Sequence, residues 1–409
     1  MVVIPMDESP DGEVVRPSAH ADWVADDNPF GAWKKMFWHL DRLAQWHQTG
    51  DTFPPLIEIN PTNYCNMACR WCITANAHVS DPAMTPEERA ERLRIIDPNS
   101  AASEHPERLR GLDFRDLSRF LLEAKAVGLK AVTWSGGGEP TFYRHFEDAV
   151  VAAADAGLEQ GLMTNGLYPT SYVSVLGTRL RWMRVSLDTL DEAKYEYHKR
   201  TKGFPAVLRN IEQVVNYPVR VGINMNLAPW NVDEVRAMVE WSRDVGAAYF
   251  QVRPTLGLPF ELRDNEPYRE QPRRDWLQSV KPLLQEVEAI RTDRFRVCVS
   301  WDKFKDLEDP GFGRSYKKCL SHFFVCILNA DGDLCVCMCH LGDRRFSFGN
   351  IYEQSVVDIW RGAKRREVLN LCSNNLDLET CQVCCKGHEI NKFLHLVENP
   401  DSALDVNFL

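Results

Sequence analysis

The feature that most constrains the fold of this chain is a regular alternation of short apolar segments with longer amphipathic ones. Helical patterns such as "FRDLSRFLLEAKAVG" lie between the apolar segments and end on a glycine, a common stop signal for a helix. Six strand–helix units predict a parallel sheet, either closed into an incomplete barrel or left open and doubly wound. The predicted strands are 56–60, 131–136, 161–166, 182–188, 219–227 and 249–254.

The segments outside this repeat predict further regions of the chain. A long charged insertion with one predicted helix interrupts the first unit at 77–112, and a docking helix closed by Gly50 is predicted at 32–50. The apolar face of that helix comprises Trp33, Met36, Phe37, Leu40, Leu43 and Ala44. The predicted regions are an N-terminal arm with the docking helix (1–50), the strand–helix repeat (51–255), a charged helical linker (256–318) and a cysteine-rich domain (319–409).

The composition restricts the partners and the compartment of the protein. A net charge of −10 and a sequence pI near 5.6 argue against a surface for nucleic acid. No run of 18 apolar residues is present, and the acidic N-terminus lacks the form of a signal peptide, so we expect a cytoplasmic protein without a membrane partner. In a reducing compartment, thirteen cysteines favour metal binding over a disulfide framework.

Three of the cysteines, Cys65, Cys69 and Cys72, lie close together just after the first predicted strand. In an α/β barrel the functional residues sit in such loops. A structural zinc site normally has four ligands, and the nearest possible fourth ligand is His78. Three thiolates on one loop instead suit a [4Fe-4S] cluster with one iron left open for a ligand. A zinc site that includes His78, or three buried core cysteines, are the alternatives.

The spacing of the triplet resembles the C-x3-C-x-aromatic-C motif of the radical S-adenosylmethionine (SAM) superfamily, with Trp71 at the aromatic position. The resemblance covers roughly residues 54–255. It implies a partial (β/α)6 barrel of the TIM type and a cluster whose open iron binds the amino and carboxylate groups of SAM. An electron from the reduced cluster then cleaves SAM to a 5′-deoxyadenosyl radical, which abstracts hydrogen from an unactivated C–H bond.

Further positions resemble the SAM-binding residues of the superfamily. "SGGGEP" after the second strand resembles the glycine-rich loop whose backbone groups bind the amino group of SAM. "TNG" and "VSLD", the latter with Asp188, resemble the positions that meet the ribose and the substrate, and Arg200 resembles the cation that reaches the SAM carboxylate. Each alone could also be a turn, a strand-end cap or a surface residue. The implied cofactor-binding residues are Trp71, Gly136, Gly137, Gly138, Glu139, Asn165, Ser186 and Arg200.

The C-terminal cysteines resemble the twitch and SPASM extensions of the superfamily. Those extensions follow the pattern C-x(9-15)-G-x4-C, a gap, and C-x2-C. The matching residues are Cys319, Gly332, Cys337, Cys381 and Cys384. "NADGDL" is a hairpin signal that brings the first two cysteines together. The resemblance implies a small α+β domain in which four thiolates hold an auxiliary [4Fe-4S] cluster, and a zinc ribbon is the alternative.

The chain departs from the full SPASM pattern, which continues with C-x5-C-x3-C, because no cysteine follows Cys385. One auxiliary cluster is therefore favoured over two. We interpret the remaining C-terminal cysteines as small buried apolar side chains, although they would suffice for another cluster. They are Cys326, Cys335, Cys339, Cys372 and Cys385. Cys298 lies on a strand-like alternation and is interpreted as a core residue rather than a hydrogen donor.

The domain order and the single-cluster spacing resemble the radical SAM dehydrogenases that oxidise an aminocyclitol alcohol in aminoglycoside antibiotic biosynthesis. An auxiliary cluster would accept the second electron of such an oxidation. The alternatives are a peptide maturase, although about 50 residues before the first strand are few for a leader-binding domain, and an epimerase. An iron- or zinc-stapled binding module is disfavoured by the open triplet.

The expected partners are a small-molecule substrate, an aminocyclitol or sugar, and a flavodoxin- or ferredoxin-type reductant. The insertion at 77–112 and the segment 255–318 are expected to shape the substrate pocket.

Overall fold

The computed structural model describes residues 32–67, 69, 71–72, 111–255, 273–308, 314–341, 343–381 and 385–399. The predicted arm at 1–30, almost all of the predicted insertion at 77–112, and Cys384 lie outside the described residues.

All strands named here belong to one ten-stranded sheet, whose order is β10-β9-β8-β1-β2-β3-β4-β5-β6-β7. Neighbouring strands from β1 to β7 pair in parallel, as the strand–helix repeat predicts. The strands are β1 (Leu56–Ile59), β2 (Ala131–Trp134), β3 (Glu159–Thr164), β4 (Trp182–Ser186), β5 (Arg220–Leu227), β6 (Tyr249–Pro254), β7 (Arg296–Val299), β8 (Val325–Leu328), β9 (Asp333–Cys335) and β10 (Ser347–Asn350).

Helices cover the outer face of the parallel strands, and several begin at a side-chain cap. Asp113 caps one of them by accepting hydrogen bonds from the amides of Arg115 and Asp116. The helices are α1 (Ala32–Lys35), α2 (Leu40–Thr49), α3 (Phe114–Ala126), α4 (Phe146–Asp155), α5 (Val173–Arg179), α6 (Glu192–Lys199), α7 (Phe204–Val214), α8 (Val235–Asp244), α9 (Arg273–Glu288), α10 (Trp301–Glu308), α11 (Val356–Arg361), α12 (Ala363–Asn370) and α13 (His388–Glu398). Among the described residues, no helix is both long and apolar enough to cross a membrane.

Side chains alternate between the two faces of the sheet, and β4 shows the pattern clearly. Met183 and Val185 are fully buried in the main core, under the helices. Arg184 points the other way, because its guanidinium donates to Gln251 on β6 and to the sulfur of Met163 on β3. We call the space on this concave side the lumen of the partial barrel.

Two features extend the sheet beyond the six predicted strands. A seventh parallel strand, β7, arises in the segment predicted as a helical linker, where "RVCV" is a short apolar run amid charged helices. On the other side, β8 of the cysteine-rich region pairs in parallel with β1, so both regions share one sheet. The predicted hairpin is confirmed: β9 returns antiparallel to β8 through a turn in which Gly332 has φ of 92°.

The predicted docking helix is present but interrupted. A 3-10 turn at Met36–His39 separates α1 from α2, and Gly50 ends α2 in the left-handed conformation. Met36 and Trp46 pack against the cysteine-rich region. The predicted apolar face is wrong for Phe37 and Leu40, which are 54% and 57% exposed, because the tighter turn changes which side chains point inward.

Candidate functional site

The cysteine triplet lies where the sequence predicts it, in the loop at the carboxyl end of β1. Cys65, Cys69 and Cys72 are half-buried, and the amide of Cys72 donates to the carbonyl of Cys69 over 3.2 Å. Burial raises the pKa of Cys65 far above its ordinary value and that of Cys69 to about 11. Desolvated thiols on one loop fit a cationic iron core, because its charge would stabilise the thiolates that burial disfavours.

The glycine-rich loop after β2 is bound directly to the cysteine loop. The amide of Gly138 donates to the carbonyl of Thr62 over 3.0 Å, and that of Glu139 to the carbonyl of Tyr64 over 2.8 Å. A Cβ atom on Gly138 would lie 1.9 Å from the oxygen of Tyr64, and one on Gly136 would lie 1.7 Å from the oxygen of Gly138. Only glycine permits this close approach of two backbones. Gly137 lies between them and is half-buried.

The carboxylate of Glu139 joins the glycine-rich loop to the loop after β3. It is 3% exposed and accepts hydrogen bonds from the hydroxyls of Thr141 and Thr164 and from the amide of Asn165, each over 2.7 Å. Burial raises the pKa of Glu139, and these hydrogen bonds oppose that rise. Because its oxygens are occupied in this way, Glu139 acts here as a brace between the two loops.

Asn165 links this brace to the cysteine triplet. Its side-chain amide donates to the side-chain oxygen of Asn66 over 2.7 Å and lies 3.8 Å from the sulfur of Cys65. Its oxygen accepts from the amide of Leu167 over 2.9 Å. The sequence-predicted residues of the first three loops are thus brought together at one end of the barrel.

At the end of β4, Lys199 is a buried cation that the sequence analysis did not single out. The Lys199 ammonium lies 2.5 Å from a carboxylate oxygen of Asp188, and both side chains are almost completely buried. It also lies 3.4 Å from the carbonyl of Ser186, which is half-buried. Burial opposes the charge of Lys199, but Asp188 and the Cys69 thiol outweigh it and raise the pKa of Lys199. Arg200 is exposed and ends α6 with φ of 54°.

Trp71 of the cysteine motif belongs to an aromatic cluster that the sequence did not reveal. Its ring lies 5.2 Å from both Trp230 and His198, which stack on each other at 3.7 Å. The Lys199 ammonium lies 5.3 Å from the centre of the Trp71 ring. Trp230 follows β5, and its position in a loop at the carboxyl end of a strand was the one feature of the sequence that could have marked it as a site residue.

A second group of thiols lines a cavity of about 60 Å³ in the C-terminal region. Of the predicted cluster ligands, Cys319, Cys337 and Cys381 line this cavity, and Cys384 lies outside the described residues. Glu58 of β1 and Lys386 also line it, and these two side chains form an ion pair. Because Glu58 lies on a barrel strand, the cavity adjoins the barrel.

Family comparisons agree with this geometry. The model of the radical SAM superfamily matches residues 59–242, and the model of the SPASM iron-sulfur cluster-binding domain matches residues 319–385. The chain therefore contains a radical SAM domain and a SPASM domain. A radical SAM domain implies a [4Fe-4S] cluster and SAM, and a SPASM domain implies auxiliary iron-sulfur clusters.

The chain is also similar in sequence to individual curated proteins. It is 26% identical over 330 residues to molybdenum cofactor biosynthesis protein 1 of Drosophila melanogaster, which covers 76% of this chain. It is 32% identical over 206 residues to the GTP 3′,8-cyclase of Paracoccus denitrificans, which covers 48% of this chain. The match spans only about half, 52%, of each of these relatives.

The fold also matches that of a solved structure. The crystal structure of Streptococcus suis SuiB bound to S-adenosylmethionine superposes with a TM-score of 0.59 at 17% sequence identity. The superposition covers 88% of this chain and 77% of that one. It supports the radical SAM barrel with a C-terminal SPASM domain that the sequence predicts.

The remaining cysteines of the SPASM domain divide into two kinds. Cys326 and Cys335 are 1% exposed on β8 and β9, as interpreted from the sequence. Cys326 also lines the thiol cavity, together with Cys339 and Cys385, which are half-buried and therefore not core residues. Cys339 follows the hairpin, whereas Cys385 lies just before the last helix.

Two further cysteines are buried in different surroundings. Cys372 lies beside Cys319, and the hydrogen bond between these thiols lowers the pKa of Cys319. Cys298 is 3% exposed on β7 and packs with Ala248 and Tyr249, apart from the main core. Within the described residues, no set of three or more His, Cys, Asp or Glu side chains is arranged around a single metal ion.

Proposed function

We propose that this protein is a radical SAM oxidoreductase that oxidises a secondary alcohol of a small molecule, an aminocyclitol or a sugar, to a ketone. The observation that carries the proposal is the position of the thiol cavity against the barrel. Since β8 pairs with β1, the side chains of Glu58 and Lys386 form a wall common to the cavity and the lumen. An auxiliary redox group there would lie beside a substrate bound in the lumen.

The residues of each site would hold one cofactor. Cys65, Cys69 and Cys72 would hold the SAM-binding cluster, and the auxiliary cluster would be held by Cys319, Cys337, Cys381 and Cys384. When bound, the first cluster and SAM would supply a 5′-deoxyadenosyl radical that takes a hydrogen atom from the alcohol carbon. The hydroxyl proton would then pass to solvent and the auxiliary cluster would accept the second electron, which leaves the ketone.

The protein itself contributes positioning and exclusion of water. The brace formed by Glu139 fixes the glycine-rich loop against the cysteine loop, so the backbone groups that would meet SAM are held in place. The buried pair of Lys199 and Asp188 supplies fixed charge beneath Trp71. A flavodoxin- or ferredoxin-type protein would supply the first electron.

The test is product analysis with the reconstituted protein, SAM and a chemical reductant. The candidate substrates are aminocyclitols, neutral sugars and sugar phosphates, each deuterated at the carbinol carbon. We expect one of them to yield a ketone together with deuterated 5′-deoxyadenosine, and the Cys69→Ala protein to yield neither. Formation of an epimer without net oxidation, or of 5′-deoxyadenosine without any ketone, would refute the proposal.

A second candidate is a reaction on a nucleotide. It is favoured by the sequence matches to GTP 3′,8-cyclases, which include the protein of Paracoccus denitrificans at 32% identity. The same incubation with GTP distinguishes the two candidates. A cyclised nucleotide that forms with no ketone from any alcohol would select the second.

A further inference from the structure

The lumen carries an uneven set of charges. Arg184 projects into it from the middle of β4, as its bonds to Gln251 and Met163 show. Arg220 begins β5 and lies on the same face, because it is the register partner of Trp182, two residues before Arg184. The one acidic side chain described on the facing part of β1, Glu58, is already paired with Lys386.

A third cation reaches this space from the N-terminal helix. The side chain of Lys35 is solvent-exposed, yet burial lowers its pKa, and the neighbouring Arg220 and Arg184 lower it further. Because the charges of Arg220 and Arg184 act on Lys35, its ammonium lies near these two arginines. Lys35, Arg184 and Arg220 therefore form one group, which we call the lumen cations.

Among the described residues, none of the lumen cations has a carboxylate partner. Arg184 bonds only to neutral groups, and Lys35 and Arg220 have no side-chain hydrogen bond or ion pair there. Like charges gathered in an enclosed space repel one another unless an anion lies between them. The chain as a whole has a net charge of −10, so a positive lumen is a local feature and does not follow from composition.

The lumen cations lie outside the lining of the thiol cavity. The basic residues that line the thiol cavity are Arg314, His340 and Lys386, and the lumen cations are not among its lining residues. The cysteine triplet follows the carboxyl end of β1, whereas Arg220 lies at the amino end of β5. Parallel strands place these two ends on opposite sides of the barrel.

We infer that the substrate carries an anionic group, a phosphate or a carboxylate, which the lumen cations bind. The inference rests on the proposed function, since it concerns the substrate of that site. Ser186, at the SAM end of β4, lies two positions after Arg184, which corresponds to about 7 Å along the strand. A single sugar ring fits this spacing, with its anionic group toward Arg184 and its reacting carbon toward the cysteine loop. An anionic sugar thus suits the lumen better than a positively charged aminocyclitol.

The test is calorimetric titration of the anaerobically reconstituted holoenzyme at constant ionic strength. The probes are inorganic phosphate and glucuronate, with glucose as the neutral and glucosamine as the cationic comparator. We expect at least one anion to bind about tenfold tighter than either comparator, which corresponds to about 1.4 kcal/mol. Arg184→Gln should weaken the binding of that anion about tenfold, and Arg184→Lys should weaken it less.

Two controls keep the test decisive. Lys35→Gln changes a solvent-exposed residue, so it tests the same anion even where Arg184→Gln does not fold. Arg361→Gln removes an exposed arginine of α11 and should leave anion binding unchanged. Equal binding of anions and glucose, or parent-like anion binding by the Lys35→Gln protein, would overturn the inference. No electron is supplied in this titration, so its outcome is independent of ketone formation.

Discussion

The buried pair of Lys199 and Asp188 gives the sharpest prediction, since the neighbouring residue Arg200 is a matched control. Lys199→Met removes a cation whose nitrogen lies 2.5 Å from the Asp188 carboxylate, with side-chain exposures of 4% and 0%. The variant leaves one oxygen of Asp188 buried without its cation. The other oxygen keeps the hydrogen bond from the amide of Asn226 over 2.7 Å.

The size of the effect follows from these contacts. Breaking a buried ion pair by removing one partner costs about 3–5 kcal/mol, and the retained bond to Asn226 favours the lower end of that range. For a domain of 150–250 residues, about 3 kcal/mol lowers Tm by roughly 6–12 °C. Arg200→Met changes an exposed side chain, so the expected change is within about 0.5 kcal/mol.

The assay is thermal unfolding of the parent, both single variants and the double variant Asp188→Asn with Lys199→Met. The double variant removes both charges but keeps an oxygen for the Asn226 amide, so it should recover most of the lost Tm. The reasoning is refuted if Lys199→Met unfolds at the same temperature as Arg200→Met. It is equally refuted if the double variant is no more stable than Lys199→Met.

Three further predictions concern the cysteines and pH. Cys69→Ala should abolish 5′-deoxyadenosine formation, whereas Cys335→Ala, a change in a buried strand residue, should preserve it; equal rates would contradict the assignment. Cys319→Ser should lower the iron content from about eight to about four per chain, with SAM cleavage retained and ketone formation lost; unchanged iron would remove Cys319 from the ligand set. Burial and then Arg365 lower the pKa of His322 to about 3. The unfolded chain therefore binds the extra proton below about pH 6.5, and the free energy of unfolding should fall as pH decreases. His322→Phe should flatten this slope in urea titrations at pH 4 to 7, and an unchanged slope would exclude His322 as its source.

The sequence predicted those parts of the fold that depend on local patterns. Apolar runs bounded by turns located β1 to β6, and the turn around Gly332 located the β8–β9 hairpin. It could not predict that β8 would pair with β1, because that contact joins residues far apart in the chain and no local pattern encodes a sheet neighbour. The alternation around Cys298 indicated a strand, but β7 was not counted among the strands of the sheet because its four residues lie between charged helical segments.

The candidate site likewise has features that a local sequence pattern predicts and features that it does not. The spacing of Cys65, Cys69 and Cys72 is a local pattern, so the sequence alone predicted this part of the site. Which residue near the end of α6 is buried depends on helical phase, which the motif alone does not give. Lys199 lies four residues after the buried Tyr195, on the same face of α6, so this spacing was the signal that favoured Lys199.

The shared sheet fixes the positions of the two thiol sites relative to each other. β1 is paired on one side with β2 of the barrel and on the other with β8 of the SPASM domain. The Glu58 side chain of this strand lines the thiol cavity, and the loop that follows the strand carries Cys65. The positions of both sites are therefore fixed by one central strand, whose neighbours on each side hold it rigid. A flexible linker between the domains would leave that separation variable, whereas the electron transfer that we propose would require an acceptor at a constant place. The pairing of β8 with β1 meets this requirement through backbone hydrogen bonds, without any dependence on the residues of the linker.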